Sequence, residues 1–365
     1  MSPLAAKLTA RIERDGPITL ADWMQTCLAD PEHGYYMTRD PLGRAGDFTT
    51  APEISQMFGE LLGLWAAVVH QQMGSPDTVH LIECGPGRGT LMADALRAAK
   101  GAPDFLAAVQ VHMVETSPVL RAAQQAALAN APVSVSWHDA IDEVPHGPSI
   151  ILANEFMDAL PVRQLIHDGG VWHERRIGID GDGFAFVVGE VADVTGLNIP
   201  GHAKDGDIFE VSPAVRRVTE QIAVRLAAEG GAALLIDYGH DAPGPPSLGE
   251  TLQAVRKHDY ADPLASPGAV DLTAHVDFAM IGAVAESAGA RVWGPLTQGA
   301  LLERLGIAAR AAQLLVSADK AQAEDIATAR RRLVDADAMG RLFKAIALTH
   351  PDAPAPPGFE TVSWA

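Results

Sequence analysis

Apolar positions in this chain switch between two spacings, and the switches predict its elements. Ile54, Met57, Phe58, Leu61, Trp65 and Val68 recur at three- and four-residue intervals, which predicts one amphipathic helix running to about Gln72. Short runs rich in Val, Ile and Leu then alternate with Ala-rich stretches. Val79, Leu81 and Ile82 lead to Glu83, residues 110–114 to Glu115, and residues 133–137 to His138 and Asp139. Residues 149–153 lead to Asn154 and Glu155, and residues 232–236 to Asp237. Strands separated by helical stretches such as 118–130 predict a parallel sheet with helices on its faces. Every predicted strand ends in polar residues, on the edge where open α/β sheets bind ligands.

The remaining patterns attach to that core. Residues 3–30 predict two short helices around the Asp15-Gly16-Pro17 turn. Between the fourth and fifth strands lies an insertion of about 162–230. Its runs at 164–166, 172–179 and 184–191, separated by Gly-rich turns, predict a β-meander, and residues 212–229 a returning helix. Residues 240–250 hold three prolines and two glycines and predict a loop or lid. Residues 251–256 then predict a sixth strand, 276–288 a helix and 291–295 a seventh strand. The last sixty residues predict helices and a Pro-rich tail. The expected fold is α/β, a Rossmann-like seven-stranded sheet spanning 76–300 with helical additions at 1–75 and 301–365. Thr50 and Glu53 have the spacing of a capping box at the start of the long helix.

Composition narrows the possibilities. With 365 residues the chain can bury a large core. Its 27 basic and 46 acidic residues leave a net charge of −19, which in bulk disfavours nucleic acid and anionic membranes as partners. Cys27 and Cys84 are too few for a disulfide framework, and no spacing points to a metal site. No apolar run is long enough to span a bilayer. The first residues include Glu13 and Asp15 and show neither a signal-peptide run nor an Arg/Ser-rich transit segment. A bacterial cytoplasmic protein is the expectation.

The candidate chemistry begins after the first strand, at Gly85-Pro86-Gly87-Arg88-Gly89. Glycine allows a sharp turn and close approach of a ligand, and the following helix aims free N–H groups at the same spot. A phosphate-cradling loop needs Lys after its glycines, and here Thr90 follows Gly89. A dinucleotide fingerprint needs a third glycine where Thr90 stands. Gly-x-Gly-x-Gly preceded by Glu83 resembles the first motif of class I S-adenosylmethionine methyltransferases. Glu115 is placed to accept the ribose hydroxyls of a nucleoside, and Asp139 to accept an adenine amino group. The loop from Gly46 to Glu53, with Thr50 at the helix start, could close over the same ligand, or could be a plain cap. After the fourth strand, Asn154, Glu155 and Asp158 place two carboxylates and an amide where a methyl acceptor would meet its donor. Carboxylates orient the planar guanidinium fork and keep electron density on its attacking nitrogen. A helix N-cap would use the same residues. His138 and Cys84 read as structural.

Longer motifs sharpen this. Gly46-Asp47-Phe48-x-Thr50-Ala51-Pro52-Glu53-Ile54-Ser55-Gln56-Met57-Phe58-Gly59-Glu60, Glu83-Cys84-Gly85-Pro86-Gly87-Arg88-Gly89-Thr90 and Asn154-Glu155-Phe156-x-Asp158-Ala159-Leu160-Pro161 occur in order. Ile236-Asp237-Tyr238-Gly239, Thr251-Leu252-Gln253-Ala254 and Asp271-Leu272-Thr273-Ala274-His275 follow. Over residues 30–350 the chain resembles the MidA-type family, which includes a mitochondrial complex I assembly factor that methylates a protein arginine. Cys84 and Met157 stand where that pattern leads us to expect Leu and Phe. The resemblance implies a class I fold, S-adenosyl-L-methionine as donor, and arginine methylation of a NADH dehydrogenase (complex I) subunit. The alternatives are a non-catalytic assembly platform, a small-molecule methyltransferase and an NAD(P)-linked oxidoreductase. Thr90 argues against the last.

Overall fold

The computed structural model describes residues 2–43, 46–197, 199, 201–240, 248–362 and 364. The chain divides into two compact units. One comprises Met1–Phe48, Asp158–Arg217 and Ala242–His275; the other comprises Thr49–Met157, Val218–Asp241 and Val276–Ala365.

The main path of the second unit's sheet has seven strands: β1 (Val79–Cys84), β2 (Val109–Val114), β3 (Val135–His138), β4 (Ser149–Asn154), β5 (Gly231–His240), β6 (Arg291–Thr297) and β7 (Phe343–Thr349), and an eighth, two-residue strand, Val276–Asp277, pairs parallel with the end of β5. Their order in the sheet is 3-2-1-4-5-7-6. The first five are mutually parallel, and β7 runs antiparallel to both β5 and β6. Central strands β1 and β4 are buried along their whole length, as a sheet covered on both faces requires. The chain leaves β1 to one side for β2 and later returns to its other side with β4. That makes the carboxyl end of β1 a topological switch point, and the glycine turn sits there.

Two assignments differ from the sequence pattern. Residues 251–256 do not supply a sheet strand of this unit. Gln253–Arg256 instead pairs antiparallel with Asp259–Tyr260 and Asp271–Thr273 in a small sheet of the first unit. The last strand of the main sheet, β7, comes from the region whose composition predicts helices. Its Phe-Lys-Ala-Ile-Ala-Leu-Thr run is rich in helix formers but buried throughout, so packing between β5 and β6 overrides local propensity.

The long N-terminal helix is also broken. Ala51–Ile54 forms one turn, Ser55 is extended, and α1 (Gln56–Gln72) starts anew with the Ser55 hydroxyl accepting from Met57 N. α1 lies directly on α2 (Thr90–Ala99). A Cβ on Gly59 would fall 2.7 Å from the Asp94 Cβ, and one on Gly63 would fall 2.5 Å from the Ala95 Cα. Glycine at two positions four apart therefore lets the two backbones touch. The contact fixes the start of α2, and with it the glycine turn.

In the first unit, helices Pro3–Asp15 and Leu20–Ala29 form on either side of Gly16, as the sequence predicts. The meander strands Arg163–Asp168, Val171–Asp180 and Gly183–Val191 pair antiparallel. Ile208–Val211 adds beside the first of them, and Ile18–Thr19 pairs with the second. Trp23, Met24, Tyr35, Ile177 and Leu272 are fully buried in this unit's core. Most of the predicted 240–250 loop, residues 241–247, lies outside the described residues.

Candidate active site

The turn after β1 is held in a backbone shape that favours glycine. Gly85, Gly87 and Gly89 have φ of 64°, 53° and 81°, in the left-handed region. Gly85 N donates to Val114 O at 3.1 Å and Gly89 N to Pro86 O at 2.8 Å, so the turn is tied to the end of β2 and to itself. A Cβ on Gly85 would meet the Phe156 ring at 2.7 Å. The segment after β4 therefore packs on the turn. Gly89 then starts α2, whose first N–H groups face the ligand side of the sheet.

The predicted capping box does not form. Thr50 occupies the N-cap position, but its side chain makes no cap hydrogen bond. Glu53 reaches the glycine turn instead, accepting from the Thr90 hydroxyl and lying 3.5 Å from Arg88 Nη1. A carboxylate three residues after a Thr has the right spacing for a box. Here a hydroxyl and a guanidinium offer it stronger partners than one backbone N–H.

Three acids and amides fall on the ligand edge. Glu83 is 3 % exposed, and its Oε2 has no hydrogen-bond partner among the described residues. Burial, and then the charge of Glu115, push its carboxyl up to about 8. Burial also raises Glu115, whose Oε1 accepts from Ser117 N at 2.8 Å and Oε2 from Gln124 Nε2 at 3.2 Å. In the parallel register Glu83 sits beside Leu152, so Asn154, two residues on, shares its face of the sheet. Asn154 is buried, its Nδ2 donates to Glu155 Oε1 at 3.2 Å, and its Oδ1 has no partner among the described residues. Two buried acceptor oxygens without partners among the described residues, on adjacent strand ends, suit a ligand that brings positive charge and hydrogen-bond donors. A nucleoside with a cationic amino-acid tail meets that requirement.

Asp139 stands exposed at the end of β3, paired with Arg121 Nη2 at 2.6 Å, and its N–H donates to Glu143. His138 Nε2 lies 2.9 Å from His112 Nδ1, and His112 Nε2 lies 3.0 Å from His80 Nδ1. Burial holds all three imidazoles below their usual range, which keeps this row neutral and structural. No group of three potential ligands could hold a metal among the described residues. Burial pushes the Cys84 thiol up to about 12, which removes it as a nucleophile.

The end of β4 carries an uncommon backbone. Glu155 is a non-glycine residue at φ 51°, with its N–H donating to Ile236 O at 2.9 Å. Its Oε1 accepts from Ala51 N at 2.9 Å, and the next turn is held by Met157 N donating to Asp237 Oδ2 at 3.0 Å. A strained glutamate over-determined by its neighbours is the pattern found at functional sites. Asp158 belongs to the first unit, where it is 7 % exposed and accepts from Ala274 N through its backbone carbonyl. There Tyr36 donates its hydroxyl to Asp271 Oδ1 at 2.7 Å, and burial followed by the charge of Asp158 raises Asp271 to about 7. Gly46, also in the first unit, forms a tight turn in which a Cβ would lie 2.0 Å from Pro41 O.

The sequence pattern assigns no role to Phe156 or Gln124, and it does not show the partners that Glu53 and Asp237 take here, Thr90 with Arg88 and the Met157 N–H. Gln124 left one signal: it shares a helix face with Leu120 and Leu128, a polar residue where the periodicity asks for an apolar one.

Residues 61–296 match the family model described as "Putative S-adenosyl-L-methionine-dependent methyltransferase". The protein named arginine methyltransferase NDUFAF7 homolog of Drosophila melanogaster is 38% identical over 374 residues, covering 94% of this chain and 84% of that one. The human protein arginine methyltransferase NDUFAF7 is 36% identical over 340 residues, covering 86% and 76%. The crystal structure of a COG1565 superfamily member from Burkholderia thailandensis, bound to S-adenosyl-homocysteine, aligns with a TM-score of 0.84 at 29% identity. That alignment covers 99% of this chain and 95% of the other. The sheet order, the glycine turn with its buried acid, and these matches agree: the chain belongs to the MidA-type family of S-adenosyl-L-methionine-dependent methyltransferases.

Proposed function

We propose that the protein transfers a methyl group from S-adenosyl-L-methionine to an arginine nitrogen of a protein, a NADH dehydrogenase (complex I) type subunit. The observation that carries the reading is the left-handed Glu155, held beside Asn154 on the edge that bears Glu83 and the glycine turn. Relatives named protein arginine methyltransferases, 33–38% identical over most of the chain, supply the acceptor class.

Glu83, the Gly85–Gly89 turn with Pro86, and Glu115 would hold the cofactor, with Asp139 at its adenine end and Thr50 at its rim; for Gly46, in the first unit, the family motif alone supports a cofactor-side role. When bound, it supplies an electrophilic methyl carbon on a positively charged sulfur. Displacement at that carbon needs the attacking nitrogen in line and at close range, and positioning is most of the protein's work. The Glu155 carboxylate suits that work, since it can accept from guanidinium donors and offset positive charge next to the nucleophile. Its Oε1 is already fixed by Ala51 N and Asn154 Nδ2, so the carboxylate is oriented before a substrate arrives. For Asp158, the family motif alone supports an acceptor-side role. We assign the protein to the bacterial cytoplasm; its two cysteines are free, buried thiols, as a reducing compartment leaves them.

The test is incubation of the purified protein with labelled S-adenosyl-L-methionine and extract from cells lacking it. Label recovered as methylarginine in a NADH dehydrogenase subunit is the expected result. Cofactor binding with no labelled protein would favour the assembly-platform alternative, and label in a small molecule would replace the acceptor.

A further inference from the structure

The cofactor edge has two parts with different origins: a turn at the end of β1 and an acid after β2. One buried amide joins them. Gln124, on the helix Pro118–Ala127, is fully buried. Its Oε1 accepts from the Trp137 indole N–H at 2.9 Å. Its Nε2 donates to Gly87 O at 2.7 Å and to Glu115 Oε2 at 3.2 Å. Gly89 rests on the same side chain, since a Cβ there would lie 3.3 Å from the Gln124 Cα and 3.4 Å from its Cγ.

The chemistry of the three partners allows one orientation. An indole N–H only donates, so it must face the amide oxygen. A carbonyl and a carboxylate only accept, so both amide hydrogens must face Gly87 and Glu115. Flipping the amide would set donor against donor at Trp137 and acceptor against acceptor at the other two. Trp137 on β3 thus acts as the key that turns Gln124 toward the site. With Ser117 N on Oε1, Gln124 on Oε2 and the Thr116 N–H also favouring its ionised form, the Glu115 carboxylate is held by three donors of the protein.

The geometry points to Gln124, locked by Trp137, as a positioning residue that fixes the spacing between the glycine turn and Glu115 and holds the Glu115 carboxylate toward the two ribose hydroxyls of the cofactor. The inference rests on the assignment of Glu115 to the ribose. Glu53, Glu83, Arg88, Arg121, Asp139 and Glu143 are charged groups of the same edge. Gln124 is the side chain that bonds both Gly87 and Glu115.

The test measures calorimetric affinity for S-adenosylhomocysteine and for its 2′-deoxyribose analogue, with the melting temperature of the free protein recorded alongside. Wild type is expected to prefer the ribose compound. Gln124→Met should weaken S-adenosylhomocysteine about tenfold to a hundredfold, the range that corresponds to losing one hydrogen bond to a charged group. It should also erase the preference over the deoxy analogue, which a purely structural loss would leave in place. Trp137→Phe keeps the ring and removes the indole N–H. It should reduce the preference by itself and add nothing in the Gln124→Met background, as coupling through one amide requires. Glu115→Gln separates the two layers. If it leaves affinity and preference unchanged, the ribose assignment itself is wrong. If it removes the preference while Gln124→Met retains it, Gln124 is only core, and the inference is overturned.

Discussion

The ends of β1 and β4 lie side by side in the sheet, and each carries a glutamate treated in the opposite way. Glu83, at the end of β1, is sealed in the core with Oε2 lacking a partner among the described residues, and its carboxyl is pushed up to about 8 by burial and by Glu115. Glu155, just past β4, has its backbone forced to φ 51° while Oε1 collects donors from Ala51 N and Asn154 Nδ2. The first residue leaves its charge to be completed by a ligand. The second has its charge aimed in advance by the protein. A cofactor that arrives with its own cation suits the first arrangement, and a substrate that must be oriented before reaction suits the second.

That contrast can be broken at either strand. The largest effect is expected at the turn beside Glu83. Gly87→Val puts a branched side chain at φ 53°, a conformation that costs an L-residue about 1–2 kcal/mol, in the middle of the turn proposed to hold the cofactor. Binding of S-adenosylhomocysteine should vanish in calorimetry while the circular dichroism spectrum stays that of the wild type. Retained binding would move the cofactor off this turn.

Next in size is the pH response of Glu83. Its folded value of about 8 exceeds its ordinary value of 4.5. Protonation is therefore favoured by folding, so this contribution is complete below about pH 4.5 and is lost as pH rises through about 8. Glu83→Gln removes the titration. The free variant should melt several degrees above wild type at pH 8.5 and close to it at pH 5, and should bind the cofactor weakly at both. An equal melting temperature at pH 8.5 would show that Glu83 is already compensated in the free protein.

Smaller effects are expected from the 50–54 segment, which touches both strand ends. Glu53→Gln keeps an acceptor for Thr90 but removes the charge beside Arg88, and should weaken cofactor affinity only about threefold, the scale of one charge-assisted contact made neutral. Thr50→Ala should be smallest of all for stability. A working helix cap is worth about 1 kcal/mol, but Thr50 makes no cap bond, so chemical denaturation should shift by less than about 0.5 kcal/mol. A full kcal/mol loss would restore the capping role.

Legibility in the sequence followed the same divide. The first five strands, the turn and the acids at strand ends were readable because a buried parallel strand leaves a short apolar run, and its ligand edge leaves polar residues. β7 was not, because Phe343–Thr349 reads locally as helix and becomes a strand only between two neighbours. Glu53 was readable as a carboxylate at the right spacing but not by its partner, since Thr90 and Arg88 are distant in sequence. Asp158 and Glu155 read as one motif, yet the fold assigns them to different units. Sequence proximity shows that two acids occur together and does not show what each of them faces.

The central claim is that Glu155 acts through its charge on the acceptor. Glu155→Gln keeps the side-chain length and an oxygen for Ala51 N. The decisive measurement is the single-turnover rate of methyl transfer to the labelled protein acceptor, at saturating S-adenosyl-L-methionine, for wild type and Glu155→Gln, with cofactor Kd measured in parallel. The account predicts a rate lower by about a hundredfold or more with Kd within about threefold, because a charge that matters mainly in the transition state leaves ground-state binding of the cofactor in place. A variant that transfers methyl at the wild-type rate, or that loses cofactor affinity in proportion to its rate, would contradict it.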